Sequence, residues 1–306
     1  MVIYNICDML TTSVVKHVQL QKMAGFKTTT SYRRGSLIPW ASERCGHLFS
    51  PANTDTIYDA IKASDIVMIH TSTDSAGLVK MFSGCKPTVW ACHDYVQGSE
   101  ADVRVDACIV PSDGYIDMIQ ADFPVFKVHR KVAAADWPVW ANRRINCTVM
   151  PGVVSSNDQE PWRNYEFARD LLGGNMLVMS AVLPSRMTDK YMVMECCTPQ
   201  RMLCNMTRFS SSWCGSGSNV EELGLIVNNK YFESIAAGCV PILYRSAEMS
   251  KHAAEHNCGI TWDGYLPNEG ALSGVRQHII ANKREFALES EIPQLNRVIK
   301  AVIKGA

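Results

Sequence analysis

Short apolar runs, each bounded by polar or turn residues and separated by helical patterns, constrain this chain more than any other feature. Ser64-Asp65-Ile66-Val67-Met68-Ile69-His70, Lys86-Pro87-Thr88-Val89-Trp90-Ala91-Cys92 and Asp106-Ala107-Cys108-Ile109-Val110-Pro111-Ser112 show this pattern. Runs this short and this apolar are buried on both faces, as strands of a parallel sheet are when helices cover it on either side. Val2 to Ile6 is expected as the first strand. Thr11, Thr12 and Ser13 can cap a helix to about Met23, which Ala24-Gly25 ends before a short strand over Phe26 to Thr30. The expected class is α/β and doubly wound. Ligands of such sheets bind beyond the carboxyl ends of the strands, which directs attention to His70, His93 and Ser112.

With 306 residues the chain exceeds what one hydrophobic core ordinarily serves, so two domains are expected. The pattern breaks between Asn146 and Trp162, where Val149-Met150-Pro151-Gly152-Val153-Val154 runs into a polar, turn-rich stretch. The expected domains are therefore 1–154 and 155–306. The second half restarts with a helix over Trp162 to Leu172, a strand over Asn175 to Leu183, and a helix from Asn228 to Ala237 leading into the strand Val240 to Tyr244. The cluster from Ser210 to Ser218 is expected as a loop.

Thirty basic and thirty acidic residues give no net field toward nucleic acid or an anionic membrane, so such a partner must be held by local patches. No apolar run approaches the roughly 20 residues of a transmembrane span, and the start lacks signal-peptide character, so a cytoplasmic protein is expected. Apart from the adjacent Cys196-Cys197, the twelve cysteines stand singly, in apolar contexts such as Val89-Trp90-Ala91-Cys92, and are read as reduced thiols; no Cys-x-x-Cys pair occurs.

The run Asn229-Lys230-Tyr231-Phe232-Glu233-Ser234-Ile235-Ala236-Ala237-Gly238-Cys239-Val240-Pro241-Ile242 carries most of the chemistry. It reads as a helix closed by Gly238 and followed at once by a buried strand, with Lys230 and Glu233 in its first turns. On its own, Glu233 is equally a surface carboxylate favoured by the helix dipole. The run resembles the donor-binding segment of GT-B glycosyltransferases of the retaining group that includes glycogen synthase and sucrose synthase. That resemblance implies two Rossmann-like domains facing each other across a cleft. It implies a nucleotide-sugar donor, most naturally a UDP-sugar, with Glu233 holding the ribose hydroxyls and Lys230, Ser234 and Ser112 on the donor side. Two carboxylate oxygens meeting two vicinal hydroxyls is sound chemistry for that role. Many members carry a second Glu eight positions earlier, where this chain has Leu225, so its sugar-contacting role is unassigned.

Other segments resemble the family in order. Thr88 to Cys92 with His93-Asp94 resembles the strand ending in a His near the transferred sugar. Ile109-Val110-Pro111-Ser112 resembles the next strand, and Val149-Met150-Pro151-Gly152-Val153 resembles the hinge, without its usual Asn. Arg186 and Lys190 occupy the loop where the family places an Arg and a Lys on the leaving diphosphate, although their spacing differs. Cations there stabilise the growing negative charge. Taken alone, His93 is equally a core or capping histidine, and Arg186 and Lys190 a solvated basic loop. No Asp-x-Asp occurs, so the resemblance implies a metal-free site and a retaining, front-face transfer without a protein nucleophile. The last helix, Leu295 to Ile303, is expected to pack back on the first domain, as in relatives.

The acceptor is open. Basic pieces at Tyr32-Arg33-Arg34-Gly35, Lys127-Val128-His129-Arg130-Lys131 and Arg143-Arg144 could hold DNA phosphates, as in the phage enzymes that glucosylate hydroxymethylated bases, and the compact length would suit a phage protein. A small molecule, lipid-linked sugar or protein hydroxyl are the other acceptors. A sugar-nucleotide epimerase or hydrolase on the same scaffold is the main alternative. His252-Ala253-Ala254-Glu255-His256 matches a zinc-peptidase pattern that would place both histidines on one helix face, a minor alternative.

Overall fold

The computed structural model describes residues 1–35, 37–71, 76–94, 103–152, 165–174, 176–180, 192–195, 198–215, 225 and 227–305. They form two compact units, one of Met1–Arg130 with Leu288–Ala306 and one of Lys131–Ala287.

The first unit contains β1 (Val2–Met9), α1 (Thr12–Met23), β2 (Lys27–Arg34), α2 (Ile38–Cys45), β3 (Phe49–Pro51), α3 (Thr54–Ala63), β4 (Ile66–Thr71), α4 (Ala76–Phe82), β5 (Thr88–Cys92), β6 (Ala107–Val110), α5 (Asp113–Met118) and β7 (Val125–Lys127). Its parallel strands lie in the order β3-β2-β1-β4-β5-β6-β7. Every residue of β4, β5 and β6 is buried, which explains their lack of polar alternation. Thr11 caps α1 by accepting from the Val14 amide, and the chain leaves the helix through Gly25 at φ +86°.

The second unit contains β8 (Ile145–Pro151), α6 (Tyr165–Leu171), β9 (Met176–Ser180), β10 (Met192–Glu195), α7 (Pro199–Met206), β11 (Phe209–Trp213), α8 (Asn229–Ala237), β12 (Val240–Leu243), α9 (Ala247–His256), β13 (Ile260–Thr261), α10 (Glu269–Ala281) and α11 (Lys283–Phe286). Its parallel order is β10-β9-β8-β11-β12-β13. The final helix, α12 (Ile292–Gly305), belongs to the first unit, where Leu295, Val298, Ile299 and Val302 bury one stripe against α1, β6 and β7.

Two differences from the sequence reading have clear causes. The compact units divide at Arg130/Lys131 and Ala287/Leu288, whereas a boundary after residue 154 was expected, with the last helix packing back on the first domain. Residues 145–151 are a central strand of the second sheet, so Pro151-Gly152 closes β8 inside the second unit. Phe209–Trp213 is a buried strand where a loop was expected. Its serines find partners inside the fold: Ser211 Oγ lies 2.9 Å from Thr148 Oγ1, and Ser210 Oγ donates to Glu269 Oε2 at 3.2 Å.

The described cysteines are free thiols, and burial pushes Cys7, Cys239 and Cys258 up to about 12. Among the described residues, no helix is long and apolar enough to cross a membrane.

Candidate functional site

In each sheet the chain first builds to one side of a strand and then crosses to the other. The crossing lies between β1 and β4 in the first unit and between β8 and β11 in the second. A parallel sheet opens a crevice at the carboxyl ends of strands on either side of such a switch.

In the second unit Gly152 after β8 meets α8 through Lys230, Cys214 after β11 lies with its Sγ 3.8 Å from Ser234 Oγ of the same helix, and Gly215 lies against Tyr244 after β12. Asn228 caps α8, its Oδ1 accepting from the Tyr231 amide at 3.0 Å. Gly238, at φ +68°, closes it, with the Cys239 amide donating to Ser234 O. Lys230 runs against Gly152 so closely that a β-carbon there would sit 2.9 Å from Lys230 Cε; Gly152 also has φ +94°. Burial pushes the Cys214 thiol up to about 11, against the lowering by hydrogen bonds to Ser234 and Ser212 and by the Lys230 cation, with the Glu233 carboxylate adding to the rise. At 5% exposure Glu233 is buried, so the reading of it as a surface carboxylate does not hold. Ser234 is fully buried and its hydroxyl donates to Lys230 O at 2.5 Å, one turn back in its own helix. Arg186 and Lys190 lie outside the described residues.

Around the same strand ends, Trp213 stacks on Tyr244 with ring centroids 5.9 Å apart, and the guanidinium of Arg245 lies 4.9 Å from the Tyr244 ring. Arg245 takes a left-handed backbone at φ +50°, unusual for a residue bearing a side chain. The sequence did not single out this group; its signal is Tyr244-Arg245 at the carboxyl end of a buried strand, with Tyr244 expected inside that strand and found just after it.

In the first unit, His70 near the end of β4 and His93 just after β5 lie side by side, with His70 Nδ1 3.1 Å from His93 Nε2. His17 on α1 meets both edge-on, its ring centroid 5.5 Å from that of His70 and 5.1 Å from that of His93. Burial, followed by the nearby cation of Arg130, drives His17 down to about 3. Burial first, with the neighbouring imidazoles, holds His70 and His93 well below the usual histidine value, so all three are neutral near pH 7. Ser112, at the end of β6, is fully buried, and its Oγ has no hydrogen-bond partner among the described residues.

The zinc-peptidase histidines have other work. His252 Nδ1 lies 2.9 Å from the buried Tyr231 hydroxyl, and His256 pairs with Glu285. Among the described residues no group of three or more metal-binding side chains is gathered. The basic pieces also divide. Arg130 and Lys131 are buried, with Arg130 Nη1 donating to Ser13 Oγ and Lys131 Nζ to Glu285 O. Arg144 donates to Phe209 O and Ala237 O. These three are structural cations and not an open phosphate-binding patch. Arg33 and Arg34 are exposed and pair with Asp8.

No protein-family profile matches the chain, and no curated protein matches it in sequence. Solved structures do resemble it. HepE from Anabaena, in complex with UDP and glucose, aligns over 98% of this chain and 97% of its own, with TM-score 0.61 and 9% identity. An alpha-glucosyltransferase in complex with UDP-glucose and DNA containing an abasic site aligns over 96% and 95%, with TM-score 0.59 and 13% identity. An alpha-glucosyltransferase with UDP and a 13-mer DNA containing a HMU base aligns over 98% and 94%, with TM-score 0.58 and 12% identity. At such identities the likeness is one of fold: the chain has the two-unit, parallel-sheet architecture of GT-B glycosyltransferases.

Proposed function

We propose that this protein is a glycosyltransferase that takes a sugar from a nucleotide-sugar donor, a UDP-sugar in the first instance, and passes it to an acceptor hydroxyl. The observation that carries this reading is that Lys230 and Glu233 stand in the first turns of α8 at the switch point of the second sheet, with the Lys230 stem against Gly152 and Glu233 buried. Full-length likeness of fold to structures solved with UDP and UDP-glucose supports it. In this reading the second unit holds the donor. Glu233 accepts from the ribose hydroxyls, and Arg186, Lys190 and Lys230 meet the diphosphate. The first unit holds the acceptor, with His93 at the transferred sugar and Ser112 on the donor side.

The reaction is read as retaining from the resemblance to the retaining group, and as metal-independent because the sequence has cations where that family meets its diphosphate and no Asp-x-Asp. The departing phosphate then takes the proton of the incoming hydroxyl. Transfer that persists in excess EDTA is the expected result; loss restored by a divalent ion refutes this part.

The test of the whole reading is thermal stability in a panel of UDP-, GDP-, ADP- and TDP-sugars, with Glu233→Ala alongside. A donor at a hundredfold its Kd stabilises by about 2.7 kcal/mol, a shift of several degrees expected to vanish in the variant. A protein that responds to no nucleotide sugar at millimolar concentration is not a transferase of this kind. Product analysis separates transfer from epimerisation and hydrolysis.

DNA is the acceptor favoured by a specific observation, the solution of an alpha-glucosyltransferase on DNA. Arg33 and Arg34, more than half exposed, are the cations on this chain to test against it. Binding of hydroxymethylated duplex that weakens steeply with salt and is reduced in Arg33→Ser/Arg34→Ser is expected. Binding unchanged in that double variant removes this patch from the reading.

A further inference from the structure

Ser13, His17 and Gln21 stand four residues apart on α1 and form a buried polar stripe. Gln21 begins a hydrogen-bonded ladder that runs through Asn5 and His70 to His93, and the ladder has a fixed direction. The Thr29 carbonyl can only accept, so the Asn5 atom 3.4 Å from it is the Nδ2 donor. The Met68 sulfur likewise can only accept, so Gln21 turns Nε2 toward it at 3.1 Å. These two anchors orient both amides, which then exchange reciprocal bonds of 2.8 Å. Asn5 Oδ1 therefore faces His70, and His70 must donate to it from Nε2, at 2.9 Å. A neutral His70 then has only a lone pair on Nδ1, so the bond of 3.1 Å is donated by His93 Nε2–H.

The ring geometry agrees. The two imidazoles are 17° from parallel with centroids 5.3 Å apart, which exceeds the N···N distance by about two ring radii, so the contact is nearly in plane and not face to face. No described residue hydrogen-bonds to His93 Nδ1.

We infer that Gln21, Asn5 and His70 are positioning residues that hold His93 as its Nε2–H tautomer, with Nδ1 presented as an acceptor. The group His93 receives is then a hydroxyl, which can donate to it, and not a phosphate oxygen, which cannot. This rests on the transferase reading only for naming that hydroxyl as one of the sugar or the acceptor.

Long-range proton–nitrogen spectra of histidine-labelled protein test the tautomer without any turnover. His93→Asn assigns the signal among the eight histidines. The expected wild-type spectrum has a protonated Nε2 and a bare Nδ1 at His93. His70→Gln keeps a donor toward Asn5 and an acceptor toward His93, so it retains this pattern, whereas His70→Leu loses it or gives a mixture. A wild-type His93 protonated on Nδ1 overturns the inference, and this arm stands even if His70→Leu does not fold. A natively melting His70→Leu protein with the tautomer unchanged overturns it too. In turnover, His70→Leu is expected to lower kcat/KM about tenfold and His70→Gln to recover most of it. The expected tautomer in a protein that answers to no nucleotide sugar refutes the transferase reading and leaves the positioning assignment standing.

Discussion

Two demands meet at Gly152: a backbone at φ +94° and room for the Lys230 stem. Gly152→Ala is expected to cost about 1–3 kcal/mol in urea denaturation and to shrink the donor-induced thermal shift by moving Lys230. Unchanged stability and donor response would show that Lys230 does not need this approach. Ser234 should behave differently, because its hydroxyl is already used by its own helix. Ser234→Ala is expected to cost about 1 kcal/mol at most and to keep the donor shift, and loss of that shift would return Ser234 to the donor site. The helix that carries Lys230 and Glu233 was legible because helix, closing glycine and following strand all fall in one continuous run. The inward turn of Ser234 was not, because burial comes from neighbours distant in sequence.

Elements whose polarity matched their burial could be read directly. The apolar strands β4, β5 and β6 and helix α8 emerged close to their expected bounds. Strand β11 was missed because its three serines carry no alternation, and their partners Thr148 and Glu269 come from elsewhere in the chain. The stripe of Ser13, His17 and Gln21 was not anticipated, because nothing local says that this face of α1 turns inward, with Gln21 on Asn5. Helix α8 ends on Gly238, where a β-carbon would come within 2.6 Å of Trp140 Cδ2 and the left-handed backbone disfavours any side chain. Gly238→Ala is expected to destabilise by about 1–3 kcal/mol, read as an earlier urea midpoint with unchanged slope. A variant as stable as the parent would mean that Trp140 moves freely.

Across the molecule, the buried neutral histidines make the first unit sensitive to acid. Folded His17 titrates at about 3, and His70 and His93 well below their usual value, while the unfolded chain titrates them near 6.5. Below pH 6.5 the unfolded chain therefore binds more protons. The stabilisation is complete above that pH and falls away toward pH 4, by up to about 1.4 kcal/mol per pH unit for each histidine. His17→Phe is expected to flatten this dependence in thermal melts taken from pH 7 to 4, and an unaltered slope would show that His17 does not contribute. The boundary between units was misplaced in the sequence because a polar stretch follows β8, whereas compactness depends on which sheet β8 joins. The return of α12 to the first unit also orders events on the ribosome. The stripe of Leu295, Val298, Ile299 and Val302 is made after all of Lys131–Ala287, so the first unit, begun earliest, is the last to be completed. A chain that stops before residue 292 holds every residue of the second unit but leaves the first with an open apolar face where α12 packs.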